Sequence, residues 1–86
     1  MKREVFLERK NDLVDLVNSI LAKNDIGEQD KVSLNTLLDL LNLYSYENRL
    51  GQKGLLTHTI IDSLELDYSL GKQFINFDND ISWKAQ

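Results

Sequence analysis

The chain has no proline among its 86 residues, and its apolar side chains recur at helical spacing in segments that only four glycines interrupt. Proline is the residue that most reliably breaks a helix, and apolar residues at i, i+3, i+4 and i+7 are typical of an amphipathic helix. Strict apolar–polar alternation, the pattern of a half-buried strand, occurs only over residues 64–68. We therefore predict an all-α chain whose glycines mark connections between helices.

The apolar periodicity predicts four helices, over roughly residues 3–23, 34–50, 54–66 and 69–81. Ser33 is the predicted N-cap of the second helix, because its hydroxyl can accept from the free N–H groups of a first turn. Gly51 is the predicted left-handed residue at the end of that helix. Asp67 or Ser69 would cap the fourth. Since short connections favour antiparallel neighbours, we predict a small antiparallel bundle of about four helices, forming one domain over residues 1–86.

Composition and charge exclude several classes of protein. The chain has no cysteine and one histidine, so a structural zinc site and disulfides are not expected. The net charge is −4, with +2 on residues 1–10 and −6 on residues 11–86. A domain with this negative charge repels nucleic acid and attracts a basic partner. No apolar run approaches the roughly 18 residues that span a bilayer, and no leader peptide is recognisable. We therefore expect a bacterial cytoplasmic protein that binds neither nucleic acid nor membrane.

The sequence offers little that could carry catalysis. His58 is the only side chain that ordinarily titrates near neutrality, so an acid–base or nucleophilic enzyme would have to use it. Asp62 lies one helical turn later and could orient the ring, but Thr57 and Thr59 point elsewhere on a helix. The Asp- and Asn-rich run 76–80 lacks the glycine and the closing Glu of an EF-hand. We expect no enzymatic activity, no metal and no cofactor, with an enzyme centred on His58 as a third alternative.

Acidic side chains accumulate in the second half of the chain. Asp62 and Glu65 share one helical face, Asp67 follows the end of that helix, and Asp78 and Asp80 extend the negative charge along the fourth helix. An ordinary solvated face explains this pattern, and so does a patch that steers and seats a basic protein. Tyrosine is enriched at interface hot spots. The candidate partner-binding residues are Asp62, Glu65, Asp67, Tyr68, Asp78 and Asp80.

The stretch GQKGLLTHTIIDSLELD, residues 51–67, places two glycines three positions apart before a helix that carries Asp, then Leu, then further acidic residues. It resembles a segment of the small helical immunity proteins of bacterial contact-dependent inhibition and related polymorphic-toxin systems, over about residues 24–68. That family often has an acidic and an aromatic residue between the glycines, where this chain has Gln52 and Lys53. The matching residues are Gly51, Gly54, Leu55, Asp62 and Leu64.

The resemblance implies an all-helical cytoplasmic inhibitor that binds a cognate toxin domain, commonly an RNA-cleaving nuclease, and covers its active cleft. An acidic helical surface is suited to the basic cleft that such a nuclease needs. We therefore predict an immunity or antitoxin-like inhibitor of a basic toxin. The alternative is a non-catalytic adaptor that self-associates or binds a partner helix through the leucine-rich segment 34–44, and the sequence leaves the oligomeric state open.

Overall fold

The protein is described by a computed structural model that covers residues 1–23, 25–64 and 66–82. These residues form helices and no strand, which confirms the all-α prediction. One of the five helical segments, four residues long, is a single turn, so the bundle is built from four helices, as predicted. The segments are α1 (Arg3–Leu21), α2 (Glu28–Asn42), α3 (Arg49–Gln52), α4 (Leu55–Ser63) and α5 (Tyr68–Asp80).

The four long helices bury one side each in a shared hydrophobic core. Helix α1 packs against α2 and α5, and α4 packs against α2 and α5. An aromatic cluster lies at one end of this core, where the Phe77 ring centroid is 5.6 Å from that of Phe6 and 6.2 Å from that of Tyr44. The buried apolar residues are Met1, Phe6, Leu13, Val17, Leu34, Leu37, Leu41, Tyr44, Leu56, Ile60, Leu70, Phe74, Phe77 and Ile81.

Helix α2 begins at Glu28, six residues before its predicted start at residue 34. Gly27 occupies the N-cap position, and Ser33 lies inside the helix with its side chain buried, so the prediction of Ser33 as N-cap is wrong. The first turn carries Glu28 and Asp30, whose charges favour a helix N-terminus through the helix dipole. Because the residues of this turn are polar, apolar periodicity does not predict the first turn of α2.

Helix α2 also ends earlier than predicted, at Asn42 rather than residue 50. The Ser45 N–H donates to Asn48 Oδ1 at 2.8 Å, and the Asn48 N–H donates to Ser45 Oγ at 3.1 Å. The Asn48 amide nitrogen also donates to the Leu43 carbonyl at 3.0 Å. Ser and Asn side chains that bond to nearby backbone in this way compete with helical hydrogen bonds. The resulting turn directs Tyr44 into the core.

The left-handed glycine is Gly54 and not Gly51. Gly54 has φ of +99° and is the residue before α4, whereas Gly51 lies within α3. At the start of α5 the prediction of a cap at Asp67 is confirmed, because its carboxylate accepts from the Leu70 N–H at 3.4 Å. A Cβ at Gly71 would lie 3.4 Å from Ile60 Cγ2, so this glycine permits the close approach of α4 and α5.

Candidate partner-binding surface

Asp78, a predicted partner contact, is fully buried between α4 and α5. Its carboxylate accepts hydrogen bonds from the Tyr44 hydroxyl at 2.7 Å and from the Gly54 N–H at 2.9 Å. It also accepts from the N–H and the hydroxyl of Thr57, at 3.1 and 2.6 Å. A carboxylate enclosed by four donor groups is unavailable to another protein. The assignment of Asp78 to the contact surface is therefore wrong.

The buried Asp78 carboxylate acts as the N-terminal cap of α4, although it belongs to α5. It binds N–H groups at the start of α4 that have no partner within the helix, and its negative charge opposes the positive end of the helix dipole. The Leu56 N–H donates to the Tyr44 hydroxyl at 3.1 Å. Burial, and then the hydrogen bond to Asp78, raise the pKa of Tyr44 well above its ordinary value. The network thus joins three parts of the chain.

A signal for the burial of Asp78 is present in the sequence. Phe74, Phe77 and Ile81 are all buried and lie on one face of α5. Position 78 follows Phe74 by four residues and precedes Ile81 by three, so it belongs to the same face. An Asp at a core-facing position indicates a buried hydrogen-bonded carboxylate, since buried polar groups are nearly always satisfied. A count of acidic residues along the chain does not distinguish such a buried carboxylate from an exposed one.

Asp80 is partly buried and is paired with a cation. Its carboxylate lies 3.0 Å from Arg9 Nη1 on α1, and the Arg9 guanidinium also stands 5.7 Å from the centroid of the Phe77 ring. The charge of Asp80 is therefore neutralised within the molecule. Together with Asp78 it lies at the C-terminal end of α5, remote from the residues that precede and begin that helix.

Three of the predicted contact residues stay together on the surface, and we call Asp62, Asp67 and Tyr68 the α4–α5 corner. Asp62 is in the last turn of α4, and the exposed Asp67 and Tyr68 begin α5. Tyr68 is 80% exposed, an unusual state for a large amphipathic ring, and Ile61 beside Asp62 is 69% exposed. Glu65 lies outside the described residues. The five predicted residues that the structure describes thus divide into an exposed corner and a distant, internally engaged pair.

The α4–α5 corner adjoins two apolar depressions that share Leu66 and Asp67 in their walls. The first has a volume of about 320 Å³ and lies between α4 and α5, with Ile60 and Leu64 in its wall. The second has a volume of about 270 Å³ and lies where the start of α5 meets the α1–α2 connection. Its apolar wall consists of Ile20, Ile26, Leu34, Leu66 and Leu70.

Much of the positive charge is engaged in holding the opposite end of the bundle together. Lys10 on α1 donates to the Tyr44 carbonyl at 2.7 Å, and Lys53 donates to Ser82 Oγ at 2.7 Å. Arg3 binds Glu47, and this hydrogen bond holds the pKa of the Glu47 carboxyl below its ordinary value. With the Arg9–Asp80 pair described above, these contacts tie α1 and the segment after α2 to neighbouring elements.

Arg49 makes the most extensive of these contacts. Its Nε donates to the Ile81 carbonyl at 3.0 Å and its Nη1 to the Tyr46 carbonyl at 2.6 Å, while its guanidinium lies 3.8 Å from the centroid of the Tyr46 ring. In contrast, Asp30, Asp39 and Asp67 form no ion pair with any described residue. These cations stabilise the fold, while the three carboxylates remain open to solvent.

His58 is an exposed side chain on the surface of α4. His58 Nε2 lies 3.0 Å from Asp62 Oδ2, the pairing expected from their spacing, and the His58 side chain is 78% exposed. The neighbouring Thr57 hydroxyl is directed to Asp78 instead. In the described ranges, no three His, Cys, Asp or Glu side chains converge in a way that could hold a metal ion. None of the helices described combines the length and hydrophobicity needed to cross a bilayer.

Comparison with other proteins adds no relative from which a function could be transferred. No protein-family model matches the chain, and neither the curated proteins nor the solved structures contain a significant match to it.

Proposed function

We propose that this protein is a non-catalytic inhibitor of the immunity or antitoxin type, which acts inside a bacterial cell by binding a basic toxin domain, in particular a nuclease. The contact is made by the α4–α5 corner, where Asp62 and Asp67 supply negative charge and Tyr68 supplies a large exposed ring. A nuclease requires a positively charged cleft for its substrate, and a surface of this kind can occupy that cleft as a phosphate mimic.

The observation that carries the proposal is the exposure of Tyr68, which follows the exposed Asp67 in sequence and whose ring centroid lies 6.0 Å from the Lys72 ammonium group. An aromatic side chain left 80% exposed gains nothing from burial in its own fold, whereas tyrosine is enriched among the residues that dominate binding energy at interfaces. The exposed carboxylates of Asp62 and Asp67 would attract a basic partner and raise its association rate. The resemblance of residues 51–67 to immunity proteins supports the same conclusion, with Asp62 at a matching position.

The adaptor alternative, in which the leucine-rich segment 34–44 binds a second helix, has less support. Leu34, Leu37 and Leu41 are buried in the protein's own core, and Leu38 and Leu40 pack against it. Helices α1 and α4 cover the buried face of this segment, and among its leucines Leu43, at 51% exposed, is the one that faces solvent.

The test is a binding measurement with the purified toxin domain encoded beside the gene of this protein. We expect a complex at nanomolar to micromolar concentration and loss of the toxin's activity upon binding. Asp62→Lys should slow association and make it less sensitive to salt, while Asp39→Lys, an equal charge reversal at an exposed position of α2, should affect the rate less. Absence of a complex at micromolar concentration would refute the proposal, and equal effects of the two reversals would move the interface away from the corner.

A further inference from the structure

We infer that Tyr44, Thr57 and Asp78 are positioning residues of the α4–α5 corner, because they hold α4 in a place from which it opens as a unit while the other long helices stay packed. This role rests on the proposed function, since closed α4 is what presents Asp62 to the partner. The opening itself is a property of the free protein and is measured without a partner.

Helix α4 has little helical stability of its own. It spans nine residues, Leu55–Ser63, and isolated helices shorter than about 12–15 residues are marginal in water. No residue of its own first turn is acidic or supplies a side-chain cap. Four of the nine residues are β-branched, which lowers helix propensity, namely Thr57, Thr59, Ile60 and Ile61. The helix therefore depends on contacts with the rest of the chain.

The apolar contacts of α4 are few compared with those of the other long helices. Leu56 and Ile60 are its buried residues, whereas α1 buries three residues, α2 four and α5 five. Helices α1, α2 and α5 are joined without α4, because α1 packs against both of the others. The ring centroids of Phe6 on α1 and Phe77 on α5 lie 5.6 Å apart. Opening of α4 therefore removes two side chains from the core and leaves the contacts among the other helices in place.

The hydrogen bonds that close α4 are concentrated at its N-terminus. The Asp78 carboxylate accepts from the Gly54 N–H at 2.9 Å, and from the N–H and the hydroxyl of Thr57 at 3.1 and 2.6 Å. The Tyr44 hydroxyl accepts from the Leu56 N–H at 3.1 Å. Both acceptors belong to other parts of the chain, so these bonds break together when the helix leaves its place.

The backbone on either side of α4 permits this movement. Gly54, immediately before the helix, has φ of +99° and open space around it, and Leu64, immediately after, is extended. Hinges are residues at the ends of elements that absorb changes of φ and ψ. Because Asp62 belongs to the corner only when α4 is closed, the network at the N-terminus of α4 determines whether the corner is complete.

Native-state hydrogen exchange of the ¹⁵N-labelled full chain measures the opening. In the wild type, the protection factors of the Ile60 and Ile61 amides should be at least about tenfold lower than that of the Val17 amide on α1, and should depend less on low concentrations of urea. A helix that opens separately exposes less surface than the unfolded chain does, and the effect of denaturant scales with that surface. Equal protection with equal urea dependence would overturn the inference, because α4 would then open only with the whole fold.

Variants separate positioning from a general loss of stability. Thr57→Val removes a donor to Asp78 while keeping the shape of the side chain, and should lower the protection of the α4 amides about tenfold. Thr57→Ser retains the hydroxyl and should restore that protection to within about threefold. The control is Leu13→Val, which leaves a small cavity where α1 meets α5. It should lower the protection of α1 amides and change that of α4 amides less than about twofold. Equal losses at both helices in Leu13→Val, or no restoration by Thr57→Ser, would overturn the inference.

Failure of this inference can be distinguished from failure of the proposed function. A bound toxin domain should raise the protection of the α4 amides, because a partner that binds closed α4 opposes its opening. If α4 opens separately in the free protein but the toxin domain does not bind, the proposed function is wrong and the opening of α4 is retained. If the toxin domain binds and Asp62→Lys slows it, but Thr57→Val leaves the α4 amides unchanged, the proposed function stands and the inference is wrong. A complex that leaves α4 protection unchanged would overturn the positioning role.

Discussion

The Tyr44 hydroxyl donates a 2.7 Å hydrogen bond to the Asp78 carboxylate at a point where both side chains are fully shielded from solvent. Tyr44 comes from the turn after α2 and Asp78 from α5, and together they bind the N-terminus of α4. No side chain of α4 itself supplies its cap. The correct start of α4, and with it the position of the α4–α5 corner, depends on this contact between distant residues.

Tyr44→Phe should destabilise the fold by about 2 kcal/mol, because the Asp78 carboxylate loses a charge-assisted donor and the Leu56 N–H loses its acceptor. The phenyl ring preserves the packing, so the loss reports on the hydroxyl. Urea unfolding followed by circular dichroism measures the effect. The control is Tyr68→Phe, which removes an exposed hydroxyl and should change the free energy of unfolding by less than about 0.5 kcal/mol. Equal effects of the two substitutions would mean that the buried network contributes nothing to stability.

The stability should fall at alkaline pH through Tyr44. Its pKa in the folded chain is raised above the unfolded value of about 10, so its contribution is fully present below that pH. As the pH rises further, the unfolded chain releases the proton first and the free energy of unfolding falls by up to about 1.4 kcal/mol per pH unit. The measurement is urea unfolding of the wild type and of Tyr44→Phe from pH 8 to pH 11. The stability difference between them should shrink above about pH 10, and parallel curves would contradict the assignment.

Alanine at Gly54 and at Gly51 should have opposite effects. Gly54 has φ of +99°, where a Cβ costs about 1–2 kcal/mol, although the space around it is open. Gly51 lies within α3, also in open space, and does not have positive φ, so alanine there should be neutral or stabilise by up to about 1 kcal/mol. Thermal unfolding of both variants measures their stability relative to the wild type. The opposite order would place the left-handed residue at Gly51, as its position at the end of the predicted second helix indicates.

Arg49→Lys should cost about 1–2 kcal/mol despite keeping the charge, because a single ammonium group cannot bond the Tyr46 and Ile81 carbonyls while stacking on the Tyr46 ring. Arg3→Lys is the matched control. Arg3 is more than half exposed and pairs with the exposed Glu47, so its replacement should cost less than about 0.5 kcal/mol. Chemical denaturation of both variants gives the comparison, and similar losses would show that guanidinium geometry is unimportant at position 49.

The parts of this fold that sequence predicts are those set by local periodicity. The apolar stripe of α5 and its cap at Asp67 are accurate, because each depends on residues within one or two turns. The ends of α2 are inaccurate for a different reason. Its first turn has no apolar residue to reveal it, and its last depends on competition between helical bonds and the side chains of Ser45 and Asn48.

The sequence predicts correctly those residues of the candidate surface that are close together in the chain. Asp62, Asp67 and Tyr68 lie close in sequence, so their common location follows from the connection between two helices. The prediction of Asp78 and Asp80 as contact residues depends on charge alone. Whether a carboxylate faces solvent depends on partners far along the chain, here Tyr44 and Arg9, which lie 34 and 71 positions away. The two depressions likewise combine distant segments and have no signature in one stretch of sequence.

The engagement of Arg3, Arg9, Lys10, Arg49 and Lys53 in contacts within the bundle has an evolutionary consequence. Arg9, Lys10, Arg49 and Lys53 tie different elements together, so selection on stability constrains them. Asp30 and Asp62 are exposed and have no partner in the core, which leaves them free to diverge, whereas Asp67 also caps α5. A lineage can therefore alter whom this protein recognises by exchanging carboxylates on an unchanged scaffold, and related chains should differ most where their negative charges lie.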